Sequence, residues 1–193
     1  MSLLEPFRPT KADLEAARDR TIVDVLAPDL SIVFVGINPG LWSGATGHHF
    51  ARPGNRFWKA LHRSGFTDRV LSPFEDATLL DVGLGVTNLV ARATATADQL
   101  SRDEIRAGAT ALVEKLRPLA PRAVALLGVT AYRAAFDRPK ASIGPQDEPI
   151  AGARPWILPN PSGLNAHYQV DDLAALFADV RRAVGIPDAN RGR

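Results

Sequence analysis

The chain has 193 residues, no cysteine and a formal net charge of +2. Without thiols there can be no disulfide, no cysteine nucleophile and no metal centre built on cysteine, and such a composition suits a reducing compartment. No apolar run approaches the roughly 20 residues of a membrane span and no signal peptide opens the chain, so a soluble, cytoplasmic protein is expected. A chain of this length buries roughly 70% of its extended surface on folding. That is enough for a single domain over 1–193, with an ordered core at about 10–187.

In chain order, Thr10 and Asp13 have the spacing of a capping box, which predicts a short helix to about residue 19. The apolar run at 31–35 has no polar alternation and reads as a strand buried on both faces. A long ordered loop is expected from Gly36 to about Pro53, held by Trp42 and Phe50. Residues 55–63 follow as a helix with Phe57, Trp58 and Leu61 inside and Arg56, Lys59 and Arg63 outside. A further helix is predicted at 73–80 and a strand or extended segment at 85–90. Ser101 and Glu104 form a second capping box. Ile105, Ala109, Leu112, Val113 and Leu116 line the helix behind it, and Pro118 ends it. Residues 123–127 read as a strand, Gly128 as its turn and 130–136 as a helix. The stretch 139–153 is a loop or twisted hairpin, and 155–158 is the last strand. Leu173, Leu176, Phe177, Val180 and Val184 then line a helix that starts near Asp171 and closes at Gly185 and Pro187. The tail at 188–193 looks dispensable. Short buried strands alternating with helices predict an α/β fold, a three-layer α/β/α sandwich with a short, mostly parallel central sheet.

Several chemistries can be set aside. The chain has no G-x-x-x-x-G-K-[ST] phosphate loop, no G-x-G-x-x-G fingerprint and no G-x-S-x-G elbow. His48, His49, His62 and His167 match no metal-ligand spacing, so no metal is expected. Charge is unevenly spread: Arg52, Arg56, Lys59, Arg63 and Arg69 face one acid, Asp68, between residues 42 and 69. Such a patch suits a nucleic-acid backbone, or a merely solvated face. Two asparagines, Asn38 and Asn160, each precede a proline at the carboxyl end of a predicted strand, where open α/β sheets place ligands. Proline bars the helical conformation for the residue before it, so each amide is pinned. A pinned amide can orient water or read a planar ring, and it can equally cap an ordinary turn.

The segments Gly36-Ile37-Asn38-Pro39-Gly40, Asn55-Arg56-Phe57-Trp58, Gly85-Val86-Thr87-Asn88-Leu89-Val90 and Asn160-Pro161-Ser162-Gly163-Leu164, with Phe50 between the first two, resemble the mismatch-specific uracil-DNA glycosylase / thymine-DNA glycosylase family. The likeness is greatest to its bacterial branch and runs in order from about residue 21 to 183. It implies the uracil-DNA glycosylase fold in a monomer without cofactor. It also implies hydrolysis of the N-glycosidic bond of uracil and related pyrimidines opposite guanine in double-stranded DNA, the opening step of base excision repair. Two rival functions are a hydrolase of free nucleosides and a DNA-binding module of this fold without catalysis.

Carried over by the resemblance, Asn38 positions water and Phe50 stacks on the extruded base. Ile37, Gly40 and Asn160 line the base pocket, with Ser43 beside the pyrimidine C5. Gly163, Leu164 and Asn165 form the loop that enters the duplex and meets the opposite guanine, with Leu164 as the wedge. Arg52, Arg56, Lys59 and Arg63 are expected on DNA phosphates, which set position rather than sequence preference. Two departures stand out: Asn165-Ala166 replaces the serine-arginine usual after the wedge, and His48 stands where an aromatic residue is usual. Asp81 and Thr87 are weaker candidates for assisting water activation.

Overall fold

The computed structural model describes residues 7–190. Its centre is a five-stranded sheet of β1 (Ile32–Gly36), β2 (Leu84–Asn88), β3 (Ala123–Leu127), β4 (Gly144–Pro145) and β5 (Arg154–Leu158). The spatial order is β2-β1-β3-β5-β4, with only the two-residue edge strand β4 antiparallel. Alternate residues of each strand project to opposite faces. Ile32, Phe34, Leu84, Val86, Ala125 and Leu158 therefore join one core, and Val33, Val35, Val124, Leu126 and Ile157 the other.

The first core lies under α3 (Phe57–Arg63) and α6 (Val170–Ala183), and the second under α4 (Arg102–Leu116) and α5 (Val129–Phe136). Phe34 is the hub of the first. Its ring meets Phe57 and Phe66 edge-on at 5.5 and 5.6 Å and stacks on Phe177 at 5.4 Å. Removing a buried ring of this kind costs about 3–5 kcal/mol. Both faces of the sheet are covered by helices, which is the expected three-layer α/β/α arrangement. Among the described residues no helix is long and apolar enough to cross a membrane.

Three expectations need revising. The long loop after β1 is not without regular structure, because α2 (Leu41–Thr46) forms within it, opened by Gly40 and closed by the left-handed Gly47. The first helix, α1 (Lys11–Ala16), has its Thr10 capping box but stops short of Asp19, which sits at φ 62°. The tail is not dispensable as far as Asn190. Ala189 N donates to Gly65 O, Asn190 Nδ2 donates to His62 O, and Asp188 accepts from Arg181. Residues 191–193 lie outside the described residues.

Chain order also decides where a ligand fits. The chain leaves β1 to place β2 on one side, then returns to place β3 on the other. The crevice beyond the carboxyl ends of β1 and β3 is thus the topological switch point. The loops after β1, β2 and β5 converge there.

Candidate active site

That crevice is a cleft of about 420 Å3, with Ile37, Asn38, Phe50, Asn88 and Asn160 among its lining residues. Gly36 ends β1 at its floor. A Cβ there would lie 2.5 Å from Asn88 Oδ1 and 3.4 Å from the Phe50 ring, so only glycine lets the Asn88 amide and the aromatic ring come together. Leu89 N and Val90 N donate to the carbonyls of Gly36 and Ile37 and continue the β1–β2 pairing past the strands.

The orientation of Asn38 follows from its partners. Nδ2 donates to Arg92 O at 3.0 Å and to Thr94 Oγ1 at 2.7 Å. Thr94 gives its own proton to Thr96 O, so its oxygen is the acceptor toward Asn38. Both amide hydrogens are thereby engaged, and Oδ1 is left as the acceptor. The peptide carrying Arg92 O is fixed in turn, because the Arg92 guanidinium binds Glu104 and Asp19 and donates to Gln99 O. Glu104 answers with a carboxyl lowered to about 2 by its bonds to Arg92 and the Ser101 amide.

Phe50 holds a left-handed backbone conformation, φ 52°, that costs an aromatic residue about 1–3 kcal/mol. Neighbouring contacts offset that strain. Its ring stacks on Phe57 at 4.1 Å. The amide of His49 donates to the buried carboxylate of Asp76, which also meets His48 Nδ1 at 3.0 Å. Ser43, 4% exposed on α2, accepts from Ala51 N and ties the far side of the same turn. His49 is 1% exposed, and burial lowers its pKa below 6.5. Its Nε2 faces Val23 O at 3.0 Å and must carry the proton, which leaves Nδ1 to accept from Asn88 Nδ2 at 3.4 Å.

The second wall is the loop after β5. Asn160 Oδ1 accepts from Ser162 N, and Asn165 Nδ2 donates back to Asn160 O, closing a tight turn. At its tip Leu164 is 66% exposed. Gly163 passes so close to Gly54 that a Cβ would stand 2.7 Å from Gly54 O. No carboxylate or lysine lines the cleft among the described residues, and no cluster that could hold a metal is found among them.

The profile of the Uracil DNA glycosylase superfamily matches residues 23–182. The chain belongs to that superfamily. A solution NMR structure of a provisionally assigned uracil DNA glycosylase from Methanosarcina acetivorans has a similar fold, with a TM-score of 0.58 at 17% identity. The match covers 84% of this chain and 98% of that one. The protein is accordingly a DNA glycosylase, a hydrolase acting on DNA.

Within the glycosylase, Ile37, Asn38, Gly40, Ser43, Phe50, Arg52, Asn160, Leu164 and Asn165 all border the one cleft. Asp81 and Thr87 do not. Asp81 is exposed on the 3-10 helix Pro73–Val82. Thr87 points to the α4 face, where it donates to Asp24 and accepts from Lys115. Arg56 also departs from expectation. As the residue that opens α3 it is half-buried, and its Nη1 donates to backbone carbonyls of the loop after β5. Arg63 pairs with Asp171, while Lys59 stands exposed on α3. Sequence reasoning passed over Asp76, Thr94 and the pairing of His49 with Asn88. Asn88 could have been found as a polar amide inside the predicted segment 85–90, which the structure ends at that residue; Thr94 lies in an aperiodic loop that carries no such signal.

Proposed function

We propose that this glycosylase belongs to the mismatch-specific branch and removes uracil and related damaged pyrimidines opposite guanine in duplex DNA, acting as a monomer. The observation that carries this reading is Asn38, with both amide hydrogens engaged and Oδ1 left as an acceptor beside an aromatic wall. Oδ1 accepts a hydrogen bond from a water molecule and aims the water's oxygen at C1′ of the extruded nucleotide. The C1′–N1 bond breaks as the base departs as an anion with its electron pair, water oxygen bonds to C1′, and the proton the water loses passes to solvent, from which the departed base is protonated. An amide is too weak a base to take that proton early, so charge on the leaving base must be stabilised by donors around it.

Phe50 supplies the stacking face, and Ile37, Gly40 and Asn160 shape the pocket. Ser43 stands where a pyrimidine C5 substituent would approach. Leu164 fills the gap in the stack, with Gly163 and Asn165 carrying it toward the guanine, and Arg52, Lys59 and Arg63 lie toward the phosphates. Extrusion is least costly at a weakened pair, which favours G·U over matched pairs.

The test is a labelled duplex with one G·U pair, treated with alkali after incubation, beside matched duplex, G·T duplex, single strand and free nucleosides. Preferential scission at G·U supports the proposal. Equal scission of uracil in every context would remove the mismatch preference, release from nucleosides would favour the first rival, and binding without scission the second.

A further inference from the structure

The loop after β5 is exposed at its tip, yet one residue outside it grips it along its whole length. Arg56 N donates to Pro161 O at 2.9 Å. Arg56 Nη1 donates to Asn165 O at 2.7 Å and Tyr168 O at 3.0 Å, with Ser162 O at the margin at 3.4 Å. These carbonyls come from both arms of the loop and bracket Leu164. The loop's own bonds, Ser162 N to Asn160 Oδ1 and Asn165 Nδ2 to Asn160 O, close the turn but do not attach it to the body of the protein. On the body side, Asn55 Oδ1 accepts from Phe57 N and fixes the start of α3, so the guanidinium projects from an anchored backbone. Gly54 packs against Gly163 beside it.

From this geometry we infer that Arg56 is a positioning residue that sets the height and angle of the Leu164 loop, rather than a contact to DNA phosphate. The inference rests on the reading of Leu164 as a wedge. A cation held by carbonyl oxygens makes stronger bonds than a neutral donor. The chain therefore keeps a polar, solvent-facing loop in one conformation without burying it. A wedge held in advance loses less conformational freedom on entering the duplex, which appears as faster extrusion rather than tighter encounter.

The experiment compares the full chain with Arg56→Ala, Arg56→Lys, Leu164→Ala and the double variant Arg56→Ala/Leu164→Ala. In free protein, amide exchange of the peptide spanning 160–169 should quicken at least about tenfold in Arg56→Ala, the least loss expected for one charge-assisted bond. Single-turnover excision on G·U duplex should fall by a similar factor, while the salt dependence of duplex binding keeps its slope. Arg56→Lys keeps the charge but not the reach of the guanidinium, so its loop should loosen as well. It also serves where the alanine variant folds poorly. In the Leu164→Ala background, removing Arg56 should add little, because the two residues act as one unit.

Unchanged exchange would overturn the clamp. A salt slope lowered by about 0.9 in Arg56→Ala, with Arg56→Lys like wild type, would return Arg56 to the phosphates. Undiminished loss in the Leu164→Ala background would show that Arg56 does not act through the wedge. If Leu164→Ala alone excises normally, the wedge reading fails on its own, and the exchange result still decides whether Arg56 holds the loop.

Discussion

The two asparagine-proline loops face each other across one cleft but are built in opposite ways. The loop after β1 is braced within the body of the protein, largely by other segments: its Asn38 amide is fixed by Arg92 O and Thr94, and its Phe50 turn by Asp76 and Phe57 together with Ser43 of α2. The loop after β5 is secured from the outside, by Arg56, with its apolar tip in solvent. A wall that must hold a water and a flat ring to within a fraction of an ångström calls for internal bracing. A part that must enter another molecule has to remain exposed, and can be steadied only at its base. On the proposed reading of the site, the two Asn-Pro motifs, similar in sequence, divide the labour between chemistry and access.

The sharpest way to break that division is at Asn38. Asn38→Ala is expected to lower single-turnover excision on a G·U duplex by about 100-fold or more, with duplex affinity nearly unchanged. Excision within threefold of wild type would mean that the inner wall does not place the water. Leu164→Ala should act on access instead, reducing extrusion and excision by about tenfold while leaving the melting temperature in place. A buried leucine such as Leu61 provides the control, since its truncation costs about 2–5 kcal/mol. The pairing of melting curves with 2-aminopurine fluorescence beside the lesion reads both quantities.

Smaller effects sharpen the comparison. Neutralising Arg52 and Lys59 should weaken matched and mismatched duplex alike, and each lost phosphate contact should flatten the salt slope by about 0.9. Ser43→Ala should raise G·T excision relative to G·U by a few fold, because a methyl group in such a pocket discriminates by only about 1–3 kcal/mol. An unmoved ratio would place residue 43 away from C5. The inner wall should also carry a pH signature. His49 has a lower pKa in the folded protein than its ordinary 6.5, with burial the main cause. As pH falls, the unfolded chain takes up the proton first, so stability present above pH 6.5 is lost below it. A tenfold difference in proton affinity between the two states is worth about 1.4 kcal/mol. Urea titrations at about pH 7.5 and about pH 5.5 should show this loss, and His49→Gln should reduce it.

What the sequence made legible tracks how local each determinant is. The strands at 31–35, 123–127 and 155–158 were readable because buried parallel strands need unbroken apolar runs. The capping boxes at Thr10 and Ser101 were readable because reciprocal bonding fixes their spacing. The helix α2 was hidden because Gly44 packs against Ala17 and Ala93, so a residue with poor helix propensity is favoured there by tertiary contact. Arg56 was misplaced because helical periodicity governs residues inside a helix, while it stands at the entrance and reaches backward. Thr87 failed as a site residue through strand alternation: Val86 and Thr87 face opposite cores, and the polar partners of Thr87 come from Asp24 and Lys115.

The anchored tail has a practical consequence for anyone trimming this protein. Arg181, 6% exposed, donates to Ser64 O, Ile186 O and Asp188 Oδ2. A chain cut just after Val184 would look harmless by helix boundaries, yet it would leave a buried guanidinium without two of those three acceptors. Stranding a charge in this way costs about 3–5 kcal/mol, a large fraction of what holds a small domain together. Among the described residues the last bond to α3 is made by Asn190, so a shortened chain should keep at least that residue.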